Sequence, residues 1–167
     1  DEQSTGKVVL ITGAARGLGL RIAAAFHGRG GNVVLNDLDG GRIGHAMAGL
    51  GGGDRLAPAA ADTSSVAGCE AIVQSTLTRY GKLDVLVNNA ALLLNHDLFL
   101  ETDPDTCDRE IKVILYGTMN CARAVLPGMI GRRFGKLINI VTDAARVGQE
   151  RQCNYSAAKG GVISFTK

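Results

Sequence analysis

The run Thr12-Gly13-Ala14-Ala15-Arg16-Gly17-Leu18-Gly19 stands where a short apolar stretch gives way to helix-like spacing. Glycines so placed suit one chemistry, the binding of a phosphate anion. Gly13 permits a tight strand-to-helix turn, Gly17 removes the Cβ that would block a pyrophosphate, and Gly19 lets helix and strand pack closely. Backbone N–H groups at Gly17, Leu18 and Gly19 then point at the phosphates, helped by the positive end of the helix dipole. Asp37 ends the next apolar run. A carboxylate there accepts from both ribose hydroxyls of an adenosine and repels a 2′-phosphate, which favours NAD over NADP. Arg16 pulls mildly the other way, and the plainer reading is that Asp37 only solvates a strand end. Asp62, after a third run, either accepts from an adenine amino group or caps the following helix.

These residues need a frame, and the apolar pattern supplies one. Strands are expected at 8–12, 32–36, 55–61, 83–88 and 136–142, the third weakened by Pro58. Helices are expected at 17–29, 41–50, from Ser64 or Ser65 to Tyr80, and at 105–132 with a bend near Pro127-Gly128. A last helix begins near Cys153 and is still running at Lys167. Strands that alternate with helices of this length form βαβ crossovers, hence a parallel sheet with helices on both faces. The fold class is therefore α/β, a Rossmann-type doubly wound sheet, with residues 1–167 a single dinucleotide-binding and catalytic domain. The final helix lacks a stop signal and a following strand, so truncation within it is expected.

Composition excludes several alternatives. The 167 residues carry 18 Lys and Arg against 16 Asp and Glu. That balance is wrong for a nucleic-acid protein, and Arg132-Arg133 is too small a basic cluster to change it. A 46% hydrophobic share supports a packed core. The 23 glycines are about twice the usual share and sit beside apolar runs, as tight turns would. Cys69, Cys107, Cys121 and Cys153 form no CxxC pair, which points to free thiols in a reducing compartment. No apolar stretch reaches ~18 residues and the start, Asp1 to Lys7, is polar, so neither a membrane span nor a signal peptide is expected. The expected location is the cytoplasm. His27, His45 and His96 have neither metal-ligand nor triad spacing, so no metal is expected.

Three further motifs follow the glycine run in order: Asn88-Asn89-Ala90, Leu126-Pro127-Gly128-Met129, and Tyr155-Ser156-Ala157-Ala158-Lys159. Together they make the chain similar to the short-chain dehydrogenase/reductase family over its whole length. Residues 143–162 look closest to bacterial oxoacyl reductases and hydroxyacyl-CoA dehydrogenases. The resemblance implies Tyr155 as general acid/base, Lys159 and Thr142 as its assistants, and Asn89, Ala90, Tyr155 and Lys159 among the cofactor contacts. The chemistry agrees with it. A phenol with a pKa of about 10 is a poor base near neutrality. Lys159, at i+4 on the same helical face, favours the phenolate. The implied reaction is hydride transfer between a nicotinamide cofactor and a secondary alcohol or ketone, with an acyl thioester one candidate substrate. The implied assembly is a homodimer or homotetramer packed through the long helix and the one from Cys153.

Three positions depart from the family pattern. Thr142 stands in place of a serine, and its extra methyl narrows the site. Ile114 stands where the family has an asparagine that holds a water relaying protons to the lysine, and it offers no polar atom. Ala91 replaces a glycine, at little cost if its φ is negative. Family members run to roughly 250 residues, so two further strands and much of the substrate pocket are not encoded before Lys167. These departures motivate a rival reading, a catalytically impaired NAD-binding or assembly protein.

Overall fold

Five short strands pair side by side and all run parallel, in the order β3-β2-β1-β4-β5. The computed structural model describes residues 4–94 and 96–167; the polar start Asp1–Gln3 lies outside them. The strands are β1 (Val8–Ile11), β2 (Asn32–Asp37), β3 (Leu56–Ala60), β4 (Val85–Asn88) and β5 (Lys136–Asn139). Between them lie α1 (Gly17–Gly28), α2 (Gly40–Gly49), α3 (Val66–Tyr80), α4 (Pro104–Ile111) and α5 (Gly117–Gly131), while α6 (Ala144–Val147) and α7 (Cys153–Phe165) follow the last strand.

Alternation along the strands divides the core into two layers, since successive side chains point to opposite faces. Val9, Ile11, Val33, Leu35, Val85 and Val87 meet Ala23 of α1 and Ile43 and Ala46 of α2. Leu10, Val34, Ala57 and Leu86 meet Cys69, Ile72 and Val73 of α3 and Cys121, Val125 and Met129 of α5. The architecture is the expected Rossmann-type doubly wound sheet. Its strand order reverses between β1 and β4, where the helices that follow the two strands leave toward opposite faces. That divergence opens a crevice at the carboxyl ends of the strands.

Pro58 does not break β3. It is exposed on an edge strand, where a missing N–H costs no ladder bond on the open side. Ser65, not Asp62, caps α3, its hydroxyl accepting from Gly68 N at 3.0 Å. The long helix starts one residue earlier than expected because Asp103 caps it, accepting from Thr106 N at 2.9 Å, and Pro104 takes the first helical position. Its irregular part is a π-helical segment, Lys112–Tyr116, while Pro127 stays inside α5. Continuous from Pro104 to Gly131, it is long and apolar enough to cross a membrane by those measures alone. Its Cys121, Val125 and Met129, however, are buried in the core. α7 ends at Phe165, and Thr166 closes it by donating to Val162 O at 2.6 Å and accepting from Asn139 Nδ2 at 2.9 Å. The short α6 and a 3₁₀ turn at Phe99–Glu101 had no counterpart in the sequence pattern.

Candidate functional site

The crevice at the switch point is a cleft of about 780 Å³. Nine sequence-predicted residues share its wall: Gly13, Arg16, Gly17, Leu18, Gly19, Asp37, Asp62, Asn89 and Ala90. The floor is held by a network that the sequence pattern did not flag. The Thr12 hydroxyl, at the end of β1, accepts from Asn89 N and Ala90 N, both at 3.0 Å. The Asn89 amide returns the contact, donating to Thr12 O at 2.9 Å and Gly13 O at 3.0 Å. Asn89 thus serves the cleft from below, as a brace for the loop. A buried polar residue closing an otherwise apolar strand was the one signal pointing to Thr12.

Two glycines show what the loop is shaped for. A Cβ on Gly19 would meet Gly13 O at 2.3 Å and Asn89 Nδ2 at 2.6 Å, so no side chain fits there without breaking the brace. Gly17 has φ +57° and open space beside it, with nothing within 4 Å of where a Cβ would stand. A bare backbone facing a cleft at a helix N-terminus is the cradle a pyrophosphate requires. The loop is pinned from the other side as well. Ala14 N donates to Asn36 O at 2.7 Å, and the Asn36 amide donates to Ala59 O at 2.8 Å and Ala61 O at 3.1 Å.

Charges are mixed at the cleft's outer end. Asp37 is half-buried and accepts from Leu38 N at 2.8 Å, leaving its second oxygen for a ligand hydroxyl. Asp39 caps α2 and pairs with Arg42 at 3.3 Å. Arg16 is exposed, and Asp62 accepts from Ser64 N at 2.8 Å. Arg42, Arg109, Lys112 and Val113 also line this wall and escaped the sequence reading, because only the folded chain brings α2 and the long helix to it.

The remaining predicted residues lie outside that wall, in a second group around α7. Lys159 is buried, and its ammonium donates to Ile140 O at 2.6 Å. Its Nζ lies 5.9 Å from the centre of the Tyr155 ring. Burial lowers the Lys159 pKa to about 8, because the charged form loses hydration. Ile140 N in turn donates to Asn88 O at 2.9 Å, which ties this group to the strand end beside Asn89 and Ala90. Tyr155 is half-buried and packs with Ile114, which is itself fully buried against Ala158 and Val162. Thr142 is half-buried before α6, its hydroxyl accepting from Ala144 N at 3.4 Å. Among the described residues the non-glycine positions at positive φ are Arg133 and Arg151, so Ala91 carries no strain.

The cleft is shaped to hold a dinucleotide, and the group around α7 is tied to its rim through Ile140 and Asn88. Comparisons with known proteins identify the family. The family model described as short chain dehydrogenase matches residues 7–167. The chain is 35% identical over 165 residues to a 3-oxoacyl-(acyl-carrier-protein) reductase of Chlamydia pneumoniae, covering 97% of this chain and 65% of that protein. It is 34% identical to a D-beta-hydroxybutyrate dehydrogenase of Cupriavidus necator, covering 97% and 63%. A crystal structure of a 3-ketoacyl-(acyl-carrier-protein) reductase from Brucella melitensis, complexed with NADH, matches with a TM-score of 0.93 at 30% identity, over 98% of this chain and 69% of that one. This chain therefore spans just under two thirds of the length of these two curated relatives. By its strand order, its glycine loop and these matches, the chain belongs to the short-chain dehydrogenase family.

Proposed function

We propose that the chain is the cofactor-binding and proton-transferring part of an NAD-dependent oxidoreductase that interconverts a secondary alcohol and a ketone. The observation that carries this is the buried Lys159, 5.9 Å from the Tyr155 ring and held by Ile140 O, whose own N–H ties it to Asn88, next to the Asn89 and Ala90 of the glycine-lined cleft. A bound nicotinamide would accept or supply the hydride. Gly13, Gly17, Leu18 and Gly19 would hold its pyrophosphate, Asp37 the adenosine ribose, Asp62 the adenine edge, and Asn89 and Ala90 the floor of the cleft. Tyr155 would take the alcohol proton at its hydroxyl during oxidation and return it during reduction. Lys159, still protonated at neutral pH, would stabilise the phenolate that this requires. Thr142 would donate to the substrate oxygen. An acyl thioester is the favoured substrate class, supported by the names of the reductases this chain resembles. The test is NADH binding by fluorescence together with turnover across a panel of β-ketoacyl thioesters and ketones. Tight NADH binding with turnover supports the reading, and failure to bind NADH defeats it.

The choice of NAD over NADP rests on Asp37. Replacing it with alanine removes a carboxylate that would accept from the ribose and repel a 2′-phosphate, while Arg16 and Arg42 remain on the same wall. Hydrogen bonds to a charged group are worth about 1.5–3 kcal/mol. Asp37→Ala is therefore expected to weaken NADH roughly tenfold or more and to strengthen NADPH, as read by paired fluorescence titrations. An unchanged ratio of the two affinities removes the assignment.

Ile114 favours a second reading, a nicotinamide-binding protein without turnover. Its side chain is buried in one apolar cluster with Ala158, Val162 and Tyr155 and offers nothing that can bond a proton-carrying water. That reading expects NADH binding, no turnover on the same panel, and a measurable gain in Ile114→Asn. Wild-type turnover discards it.

A homo-oligomer in the cytoplasm completes the proposal. It is supported by exposed apolar side chains on the long helix and α7, among them Tyr116, Ile130 and Phe165, and by the unpaired thiols.

A further inference from the structure

The interior holds a chemical group that the proposed reaction does not use. Cys69 on α3 and Cys121 on α5 are both fully buried, with their sulfurs 3.2 Å apart. Cys69 also donates its thiol to Thr63 O at 3.2 Å. A thiol has one proton to give. With that of Cys69 already committed, the contact between the sulfurs must be Cys121 donating to Cys69. The three groups form one line, from the Cys121 thiol through Cys69 to the Thr63 carbonyl. The line ends at the cleft, because Asp62, Thr63 and Ser64 lie on its wall. The Thr63 carbonyl is also crowded by α5, since a Cβ on Gly117 would meet it at 3.2 Å.

We propose that Cys69 and Cys121 are a disulfide-forming site whose oxidation by peroxide loosens the Asp62–Ser64 edge of the cleft and weakens dinucleotide binding there. The effect on the cleft rests on the cofactor reading above; the bond itself does not. Cys69 is the attacking sulfur. A hydrogen bond from Cys121 favours its thiolate and holds its pKa below the usual thiol value, whereas the neighbouring sulfur and burial push Cys121 up. The Cys69 thiolate attacks one peroxide oxygen, the O–O bond breaks, and sulfenic acid and water result. The Cys121 sulfur then attacks the Cys69 sulfur, the S–O bond breaks, and a second water leaves. Two thiols are oxidised and one peroxide is reduced. The sulfurs need close by only about 1 Å to reach bonding distance. Burial makes the first step slow, gated by local opening of α3 from α5. The second needs no diffusion, because Cys121 already touches the sulfenic sulfur and its proton can leave with the departing hydroxyl as water. In the disulfide neither sulfur donates, so the Thr63 carbonyl loses the thiol proton it accepts.

The test uses the full chain with Cys107 and Cys153, both half-buried, changed to alanine so that only the inner pair can respond. After mild hydrogen peroxide the protein should lose two hydrogens in mass and both remaining titratable thiols, and digestion should give a peptide joining Cys69 to Cys121. Its NADH dissociation constant should rise about five- to tenfold, the worth of one buried hydrogen bond, and dithiothreitol should restore it. The further change Cys121→Ala keeps the donor to Thr63, and its NADH affinity should ignore the same treatment. An unchanged mass with both thiols still titratable overturns the site. A disulfide that leaves NADH affinity unaltered overturns its link to the cleft. Reduced protein that fails to bind NADH counts against the cofactor reading alone, because mass and thiol count still report on the pair.

Discussion

Phenylalanine at Tyr155 is expected to lower kcat/KM by ~10²–10⁴, the range that a positioned proton donor contributes, while NADH affinity stays within about twofold of the wild type. The reasoning begins with packing. The Tyr155 ring lies against Ile114 and Ala158, and a phenylalanine ring preserves those contacts. What is lost is one hydroxyl on a half-buried side chain. The glycine loop, its Thr12–Asn89 brace and Asp37 are untouched, so the cradle for a dinucleotide survives. In transition-state terms the loss is roughly 3–5 kcal/mol, carried by kcat. Steady-state rates on a ketone or β-ketoacyl substrate, set beside fluorescence titration of NADH, separate the two effects. A variant with near wild-type kcat/KM removes Tyr155 from the proton-transfer step. One that loses NADH binding in parallel shows that the substitution disturbed the cleft instead.

The proton transfer proposed for Tyr155 would need a frame, and much of that frame was legible in the amino-acid order. The central strands announced themselves because β1, β2 and β4 are buried runs of Val, Leu and Ile, and a parallel sheet covered on both faces demands such runs. The glycine loop was legible for a different reason. The space left for an anion is a local property of the backbone, encoded by residues close together in sequence. The brace beneath it is not local. Thr12 and Asn89 meet only because β1 and β4 become neighbours, with Val9 opposite Val85 and Ile11 opposite Val87. No local spacing encodes that pairing. The same holds for Arg42, Arg109 and Lys112, which reach one wall from two distant helices. Helix starts show where local reading fell short. Asp103-Pro104 is a strong start signal, and Asp62 and Ser65 competed for one cap. The structure gives Ser65 the cap and leaves Asp62 to hold the turn before it. The π-helical turn at Lys112–Tyr116 had no sequence sign at all. It widens the helix by one residue where Ile114 meets Tyr155, and such turns gather at functional sites.

Substituting Lys159 with methionine should separate its catalytic value from its cost to the fold. Methionine fills a similar volume but cannot stabilise a phenolate, so the rate should fall by ~10² or more, the low end for a group that sets another's proton affinity. Stability should respond in a different and pH-dependent way. Burial holds the Lys159 pKa at about 8 in the folded chain, against an ordinary value of 10.5. Between those values the unfolded chain holds more protons, so stability rises with pH across that window. Below pH 8 the folded protein bears the full cost of a buried ammonium, roughly 3 kcal/mol for a shift of this size. As pH rises toward 10.5 that cost is relieved. Methionine lacks the titration altogether. It also leaves the Ile140 carbonyl without its donor, a loss of about 1–3 kcal/mol that does not vary with pH. The two proteins should therefore unfold in urea with similar free energies at pH 7. By pH 10 the wild type should have gained roughly 2 kcal/mol on the variant. Parallel stability curves from pH 7 to 10 would mean that Lys159 is no more costly to ionise in the fold than in water. A rate that survives the substitution would mean that Tyr155 needs no cation beside it.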